Sequence, residues 1–190
     1  MQHAFIKLIF SLLIFTITSC ANALEIKGVK VDETAQVGSS PLVLNGAGVR
    51  TKLMFKIYVG ALYLTQKQTN ASAVINDPGN KRLTMHFIRE LSAEKLLHAI
   101  NEGFEDNNSA AEMAAINTQM KAFHQLMTSA KELIDGDVIV LDLTNAGTQV
   151  SLNGKILGNI EGMAFNQALL RVWLGENPGD ASLKKAMLGQ

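Results

Sequence analysis

Hydrophobic and polar residues alternate with the two-residue period of β-strands in several parts of the chain. These segments are residues 25–31, 82–89, 138–143, 149–152 and 155–160. Residues 53–64 differ because both sides of the alternation are apolar: Leu53, Phe55, Ile57, Val59, Ala61 and Tyr63 on one side, and Met54, Tyr58, Leu62 and Leu64 on the other. A strand that is covered on both faces is typical of the interior of a sheet, so this segment is predicted to be a central strand.

Apolar residues recur at helical spacing elsewhere in the sequence. A short helix is predicted over 71–76, and Ser92 is a predicted N-cap for a helix that follows it. Further helices are predicted over 109–132, 163–174 and 182–188. Strands, helices, strands and helices in that order predict an α+β fold, in which the helices cover one face of a mostly antiparallel sheet.

The N-terminal segment has the pattern of an export signal. The terminal amine and Lys7 are positive, and residues 8–17 are almost wholly apolar but too few to span a bilayer. Two ways of processing are open. Signal peptidase could cleave after Ala21-Asn22-Ala23, which would give Leu24 as the first residue. Alternatively, the segment resembles a lipobox at Ile17-Thr18-Ser19-Cys20, which would make Cys20 a lipid-anchored first residue. We therefore expect a signal peptide at 1–23, a single domain at 24–190 without a transmembrane span, and a periplasmic location as a free protein or a lipoprotein.

Composition excludes several classes of function. The 190 residues include 17 Lys and Arg and 17 Asp and Glu, and a neutral chain without a basic run is unlike a nucleic-acid binder. The apolar fraction of 47% is enough for a substantial core. A single cysteine excludes an intrachain disulfide or a thiolate metal cluster, and the 4 histidines do not cluster, so no metal site is expected.

Glycines at 46 and 48 invite comparison with a dinucleotide-binding loop. The third glycine of that fingerprint would fall at position 51, which is Thr51, and a strand follows instead of a helix. The two glycines are therefore interpreted as a bulge or bend, and no cofactor is expected.

Arg50 is the most informative polar residue, because it lies between this bend and the most apolar strand. Facing inward, it would need an anion, a carbonyl group or water as a partner; otherwise it is an ordinary edge arginine. Methionines on predicted inward faces, such as Met85 and Met113, suit either a core or a pocket for a flexible apolar ligand.

Two blocks of sequence, residues 44–52 (LNGAGVRTK) and 55–64 (FKIYVGALYL), resemble the chalcone isomerase superfamily, and above all exported bacterial chalcone isomerase-like proteins. Residues 85–106 and 168–189, including Arg171-Val172-Trp173-Leu174-Gly175, are similar as well. The resemblance implies an open-faced β-sandwich with a ligand cleft between sheet and helices. It also implies one of two activities: closure of a chalcone to a flavanone by an intramolecular lyase, or binding of a fatty acid without catalysis.

The resemblance also implies site residues. Arg50 matches the family's arginine closely, Tyr58 falls at its active-site threonine, Met85 near its tyrosine and Asn166 near its C-terminal hydroxyl or amide residue. Met85 lacks a hydroxyl, which favours binding over catalysis. In the binding hypothesis, Arg50 pairs with the carboxylate of the fatty acid, and Tyr58 or Tyr63 donates a hydrogen bond to it. In the enzyme hypothesis, Arg50 stabilises an enolate, and Tyr58 and Asn166 are further hydrogen-bond donors. A third hypothesis is an interaction protein whose cleft is filled by side chains.

Overall fold

A computed structural model describes residues 23–190 of the chain. The strands are β1 (Ala23–Ile26), β2 (Val29–Asp32), β3 (Thr34–Val37), β4 (Ser40–Lys52), β5 (Phe55–Leu64), β6 (Lys81–Phe87), β7 (Leu91–Ser92), β8 (Glu132–Leu133), β9 (Val138–Thr144), β10 (Gly147–Leu152) and β11 (Lys155–Glu161). The helices are α1 (Ala71–Asn76), α2 (Ala93–Asn107), α3 (Ala110–Ala115), α4 (Asn117–Thr128), α5 (Met163–Leu174) and α6 (Ala181–Met187). The predicted signal peptide and Cys20 lie outside the described residues.

The main sheet has seven antiparallel strands in the order β11-β10-β9-β6-β5-β4-β3. The strands β1 and β2 form a separate hairpin, and β7 pairs with β8. As predicted, β5 lies inside the sheet, between β4 and β6. Residues 58–64 of β5 are buried on both faces, because both faces are covered by other parts of the chain.

The two faces of the sheet carry different cores. On the inner face, strand residues such as Tyr58, Leu62 and Met85 join a large core with side chains from the helices. On the outer face, Val59, Ala61 and Tyr63 pack in a smaller cluster with residues of β2, β3 and β4 and the partly buried Ile26 of β1. The predicted α+β fold, an antiparallel sheet covered by helices on one face, is confirmed.

Most of the predicted elements are confirmed, with three differences. The central strand predicted over 53–64 begins at Phe55, because Leu53 and Met54 form the exposed turn between β4 and β5. Residues 25–31 form a hairpin and not one strand, because the backbone turns at Lys27 (φ 53°) and Gly28 (φ 78°). The helix predicted over 109–132 is divided at Ile116, whose backbone is not helical (φ −106°, ψ 11°). The division lets Ile116 enter the core, whereas α3 itself buries no residue.

The glycines at 46 and 48 form the predicted irregularity in a strand. The register of β4 against β5 shifts between Leu44 and Gly46, and α6 lies directly on this part of the sheet. A Cβ atom at Gly48 would lie 2.6 Å from the Cβ of Ala186, and one at Gly46 would clash with the carbonyl oxygen of the same residue. Both glycines are therefore needed for the close approach of α6.

Candidate functional site

A cavity of about 510 Å³ lies between the inner face of the sheet and the helices. Its volume falls in the range of about 300–1,000 Å³ that is usual for small-molecule sites. Apolar side chains form most of the wall: Ile57, Leu91, Leu96, Ala99, Val172 and Leu183. One end is polar, with Arg50, Tyr58, Trp173 and Asp180, and the rim carries Lys52, Glu94, Lys95 and His98.

Small residues on α2 explain part of this shape. Gly103 lies against α5, where a Cβ atom would be 2.7 Å from the Cγ1 of Val172, so α2 and α5 approach closely there. Ala99 lies one turn earlier on the cavity side and offers only a methyl group. Space therefore remains between α2 and the sheet where larger side chains would otherwise fill it.

Arg50 faces inward at the polar end, and its side chain is only 15% exposed. Its Nη1 donates to the carbonyl oxygen of Thr51 at 3.0 Å and to that of Gly179. The same nitrogen lies 3.7 Å from Oδ2 of Asp180. Of the two alternatives for this arginine, the structure therefore has the inward one, with carbonyl groups and an anion as its partners.

Asp180 is fixed by a second set of bonds. One carboxylate oxygen accepts from the amide of Thr51 at 2.8 Å, and the other accepts from the amides of Ser182 and Leu183 at the start of α6. The N-cap residue of α6 thus ties that helix to the end of β4, and it neutralises much of the charge of Arg50.

Tyr58 lies beside Arg50 and is almost fully buried. Trp173 Nε1 donates to its Oη at 2.8 Å, so the phenolic hydrogen is not used in that bond. Burial raises the pKa of Tyr58, although the hydrogen bond from Trp173 and the charge of Arg50 act in the opposite direction. The phenol is therefore protonated at neutral pH and can donate a hydrogen bond into the cavity.

The charges around the cavity are close to balanced. The lining includes three basic side chains, Arg50, Lys52 and Lys95, and two acidic ones, Glu94 and Asp180. Lys52 also lies 3.8 Å from Glu102 of α2, but both side chains are more than half exposed, so this pair adds little stability. Within residues 23–190, no group of His, Cys, Asp and Glu side chains is arranged to hold a metal ion.

Two of the five predicted site residues, Arg50 and Tyr58, line the cavity, and three do not. Tyr63 lies on the outer face, because five residues separate it from Tyr58 and strand side chains alternate. Met85 is on the inner face but is fully packed in the core.

Asn166 is also removed from the cavity, because its amide joins α5 to β9 and β10. Its Nδ2 donates to the carbonyl oxygen of Thr144 at 2.7 Å, and its Oδ1 accepts from Thr148 Oγ1 at 2.7 Å. The structure therefore does not bring Tyr63, Met85 and Asn166 together with Arg50 and Tyr58 at this cavity.

Sequence reasoning missed Trp173 and Asp180. Trp173 lies in the stretch 171–175, which is similar to the family as well, and it is the single tryptophan of the chain. Asp180 precedes a predicted helix and follows Gly179, which is the pattern of an N-cap, but nothing local links it to Arg50. That contact spans 130 positions of sequence and becomes visible only in the folded chain.

An antiparallel sheet, helices on one face and a cavity between them define an open-faced β-sandwich with an internal site. The family model described as chalcone isomerase-like matches residues 23–189, so the chain belongs to the chalcone isomerase-like family. No curated protein matches the sequence. Among solved structures, the fold is similar to an Arabidopsis thaliana fatty-acid binding protein: the TM-score is 0.66 and the identity 12%, over 88% of this chain and 96% of the other.

Proposed function

We propose that this protein binds a fatty acid, or a similar apolar carboxylate, in the cavity and does not transform it. The observation that carries the proposal is a largely apolar cavity with a partly buried guanidinium and a buried phenol at one end. A plant protein of similar fold is described as a fatty-acid binding protein, which supports this kind of ligand.

The apolar chain supplies most of the binding free energy. Each buried methylene group contributes about 0.8 kcal/mol, so several of them outweigh one polar contact. In the proposed complex the chain lies along Leu96, Ala99 and Val172 on the helix side of the cavity.

The carboxylate lies at the polar end. It accepts a hydrogen bond from Tyr58 and from those guanidinium N–H groups of Arg50 that do not bind Thr51 or Gly179. Asp180 limits the contribution of charge because it already pairs with Arg50. We therefore expect modest selectivity for a carboxylate over an alcohol and strong dependence on chain length.

Native mass spectrometry of the purified protein tests the proposal, with added long-chain fatty acid as the probe. The variant Ala99→Trp places an indole in the cavity, whereas the matched control Ala111→Trp adds it to an exposed position on α3. We expect bound fatty acid in the wild type and in the control, and at least a tenfold loss of affinity in Ala99→Trp because the indole fills the volume that the chain needs. Equal binding by all three proteins, or no binding by the folded wild type, would refute the proposal.

The isomerase alternative has less support. An arginine beside a phenol could stabilise an enolate oxygen. However, the amide of Asn166 is engaged by Thr144 and Thr148, and position 85 carries methionine. Cyclisation of a chalcone with a free phenol, followed by absorbance, tests this alternative: a rate above that of buffer that is lost in Tyr58→Phe would favour catalysis.

We further propose that residues 1–23 are a signal peptide and that the protein is periplasmic. Expression of the full gene in a bacterium, followed by fractionation and intact-mass measurement, tests this directly. A periplasmic protein that begins at Leu24 supports cleavage after Ala23, and an acylated Cys20 supports the lipoprotein alternative. A cytoplasmic chain that retains Met1 would contradict both.

A further inference from the structure

The strand register brings several loops to one end of the sheet, which we call the mouth end. Phe87, the last residue of β6, pairs with Tyr58 near the start of β5, and His86 pairs with Val138 at the start of β9. Leu152 and Lys155 pair across the turn between β10 and β11. The β4–β5 turn, the β6–β7 loop, the β8–β9 loop and the β10–β11 turn therefore lie at the same end. The cavity adjoins this end, because Lys52 and Ile57 line it on either side of the β4–β5 turn.

Exposed apolar side chains are concentrated at the mouth end. Among the described residues, five of the seven large hydrophobic side chains that are exposed lie there: Leu53 (89%), Met54 (89%), Phe55 (53%), Ile134 (55%) and Ile156 (56%). Three of the five are consecutive at the tip of the β4–β5 hairpin. A cluster of this kind on a soluble surface is typical of an interaction site.

Neither folding nor solubility explains leucine at this tip. Leu53 has a left-handed backbone (φ 58°), a conformation in which two-residue hairpin turns favour glycine, asparagine or aspartate. Its side chain is also almost wholly in water. A residue that is unfavourable both for the turn and for exposure indicates a role outside the folded chain.

Basic side chains surround the apolar tip. Lys52 and Lys56 flank it in sequence, and the guanidinium of Arg89 lies 4.5 Å from the centre of the Phe55 ring. The ammonium group of Lys27, from the β1–β2 turn, is close enough to Lys56 that hydrogen bonding and like-charge repulsion lower the pKa of Lys56. An anion between these two groups would relieve that repulsion.

Acidic residues are also present at this end, but they do not cancel the cluster. Glu102 pairs with Lys52, Glu90 follows Arg89, and Asp135 and Asp137 lie in the β8–β9 loop. Around the β4–β5 tip, four basic residues (Lys27, Lys52, Lys56 and Arg89) therefore stand against two acidic ones (Glu90 and Glu102).

We infer that the β4–β5 tip inserts into the surface of an anionic lipid bilayer and holds the mouth of the cavity against it. Apolar side chains at the apex, with lysine and arginine behind them, match the acyl boundary and the anionic headgroups of such a surface. The inference extends the proposed function, because a fatty acid that left the bilayer beside Lys52 and Ile57 would enter the cavity with little exposure to water.

Flotation with lipid vesicles tests this inference on residues 24–190, the chain that remains when the proposed signal peptide is removed. This chain lacks Cys20, so no lipid anchor can form on it. The probes are vesicles of equal parts phosphatidylglycerol and phosphatidylcholine, and vesicles of phosphatidylcholine alone. The test variant is Leu53→Asp with Met54→Asp, and the control, Ala111→Asp with Ala115→Asp, makes the same change of net charge on exposed positions of α3.

We expect the parent protein and the control to float with the anionic vesicles, and the tip variant to partition at least about tenfold less. Binding should weaken on neutral vesicles and at high salt, since headgroup charge contributes. Equal flotation of tip variant and control, or no flotation of the folded parent, would overturn the inference.

Two further measurements separate this inference from its alternatives. A dimer in sedimentation velocity that the tip substitutions dissociate would assign the tip to a second copy of the chain and refute a membrane role.

Fatty-acid binding in solution should survive in the tip variant, because Leu53 and Met54 do not line the cavity, and Ala99→Trp should still float. Loss of fatty-acid binding alone therefore contradicts the proposed function, and loss of flotation alone contradicts the docking surface.

Discussion

The two tyrosines of the chain lie five residues apart on the same strand, yet they have different surroundings. Tyr58 lies on the inner face, beside a cavity and bonded to Trp173. Tyr63 lies on the outer face in a small cluster, where burial raises its pKa to about 12 and the charge of Asp32 adds to the effect. Similar burial therefore leads to different roles.

The difference follows from what covers each face. Strands can lie close against a sheet and fill its pleats, as β1 and β2 do on the outer face. Helices stand further from the sheet, and the space beneath them must be filled by large side chains. Where α2 presents Ala99 in place of a large residue, a cavity remains. A ligand site in this fold is thus expected on the helix-covered face alone.

The largest effect is expected at Asn166, on the inner face but away from the cavity. Asn166→Ala leaves the hydroxyl of Thr148 and the carbonyl of Thr144 without their partner, so the free energy of unfolding should fall by about 3 kcal/mol. Urea denaturation measures this change. Fatty-acid binding by the folded fraction should be retained, since Asn166 does not line the cavity.

Asn159→Ala is the matched control for Asn166→Ala. Its amide oxygen accepts from Gln149 at 3.2 Å on the exposed surface, so its loss should change stability by less than about 0.5 kcal/mol. A ligand affinity that falls with Asn166→Ala at unchanged stability would show that Asn166 contributes to ligand binding and not only to the packing of α5 on β9 and β10.

A smaller effect is expected when the two tyrosines are compared directly. Tyr58→Phe removes the acceptor of Trp173 Nε1 and the donor to a carboxylate, so stability should fall by about 1–2 kcal/mol and fatty-acid affinity about fivefold. Tyr63→Phe should leave ligand affinity unchanged because that ring lies on the other face. Isothermal titration with one fatty acid measures both variants. Equal losses of affinity would show that the two faces are not independent.

Much of the fold was predictable because its signals are local. The period of two in 82–89 and 138–143, the N-cap at Ser92 and the apolar spacing over 163–174 all fix elements without reference to distant residues. The same alternation already separated Tyr58 from Tyr63. Applied strictly, it excludes Tyr63 from any site that contains Tyr58.

The rest of the site depends on contacts between distant parts of the chain. Asp180 reaches Arg50 only because α6 packs on Gly46 and Gly48, and Trp173 reaches Tyr58 across the core. Asn166 shows the opposite case, in which a polar residue that resembles a ligand donor is used entirely by neighbouring strands. Sequence pattern gives the type of residue but does not show which partner satisfies it.

On the outer face, a substitution of Thr84 is expected to make the protein more stable. Among the described residues its buried Oγ1 has no hydrogen-bond partner, in contrast to the fully bonded Asn166 on the inner face. Thr84→Val keeps the shape and removes the unsatisfied hydroxyl, so the free energy of unfolding should rise by about 1 kcal/mol. Urea denaturation measures it. A loss of stability would mean that the hydroxyl has a partner, such as an ordered water.

The smallest expected effect is the pH dependence of stability that arises from His86, which also lies on the outer face. Burial lowers the pKa of His86, and the charge of Asp32 offsets this only in part. The unfolded chain therefore takes up the proton at a higher pH than the folded one. The contribution of the neutral His86 to the free energy of unfolding is present above the unfolded pKa of about 6.5 and is lost as the pH falls below it.

His86→Gln should reduce the loss of stability between pH 8 and pH 5, measured by urea unfolding at each pH. Because His98 and His124 are present in both proteins, the difference between variant and wild type isolates His86, and an unchanged loss would show that its imidazole is equally hydrated in the folded and unfolded chain.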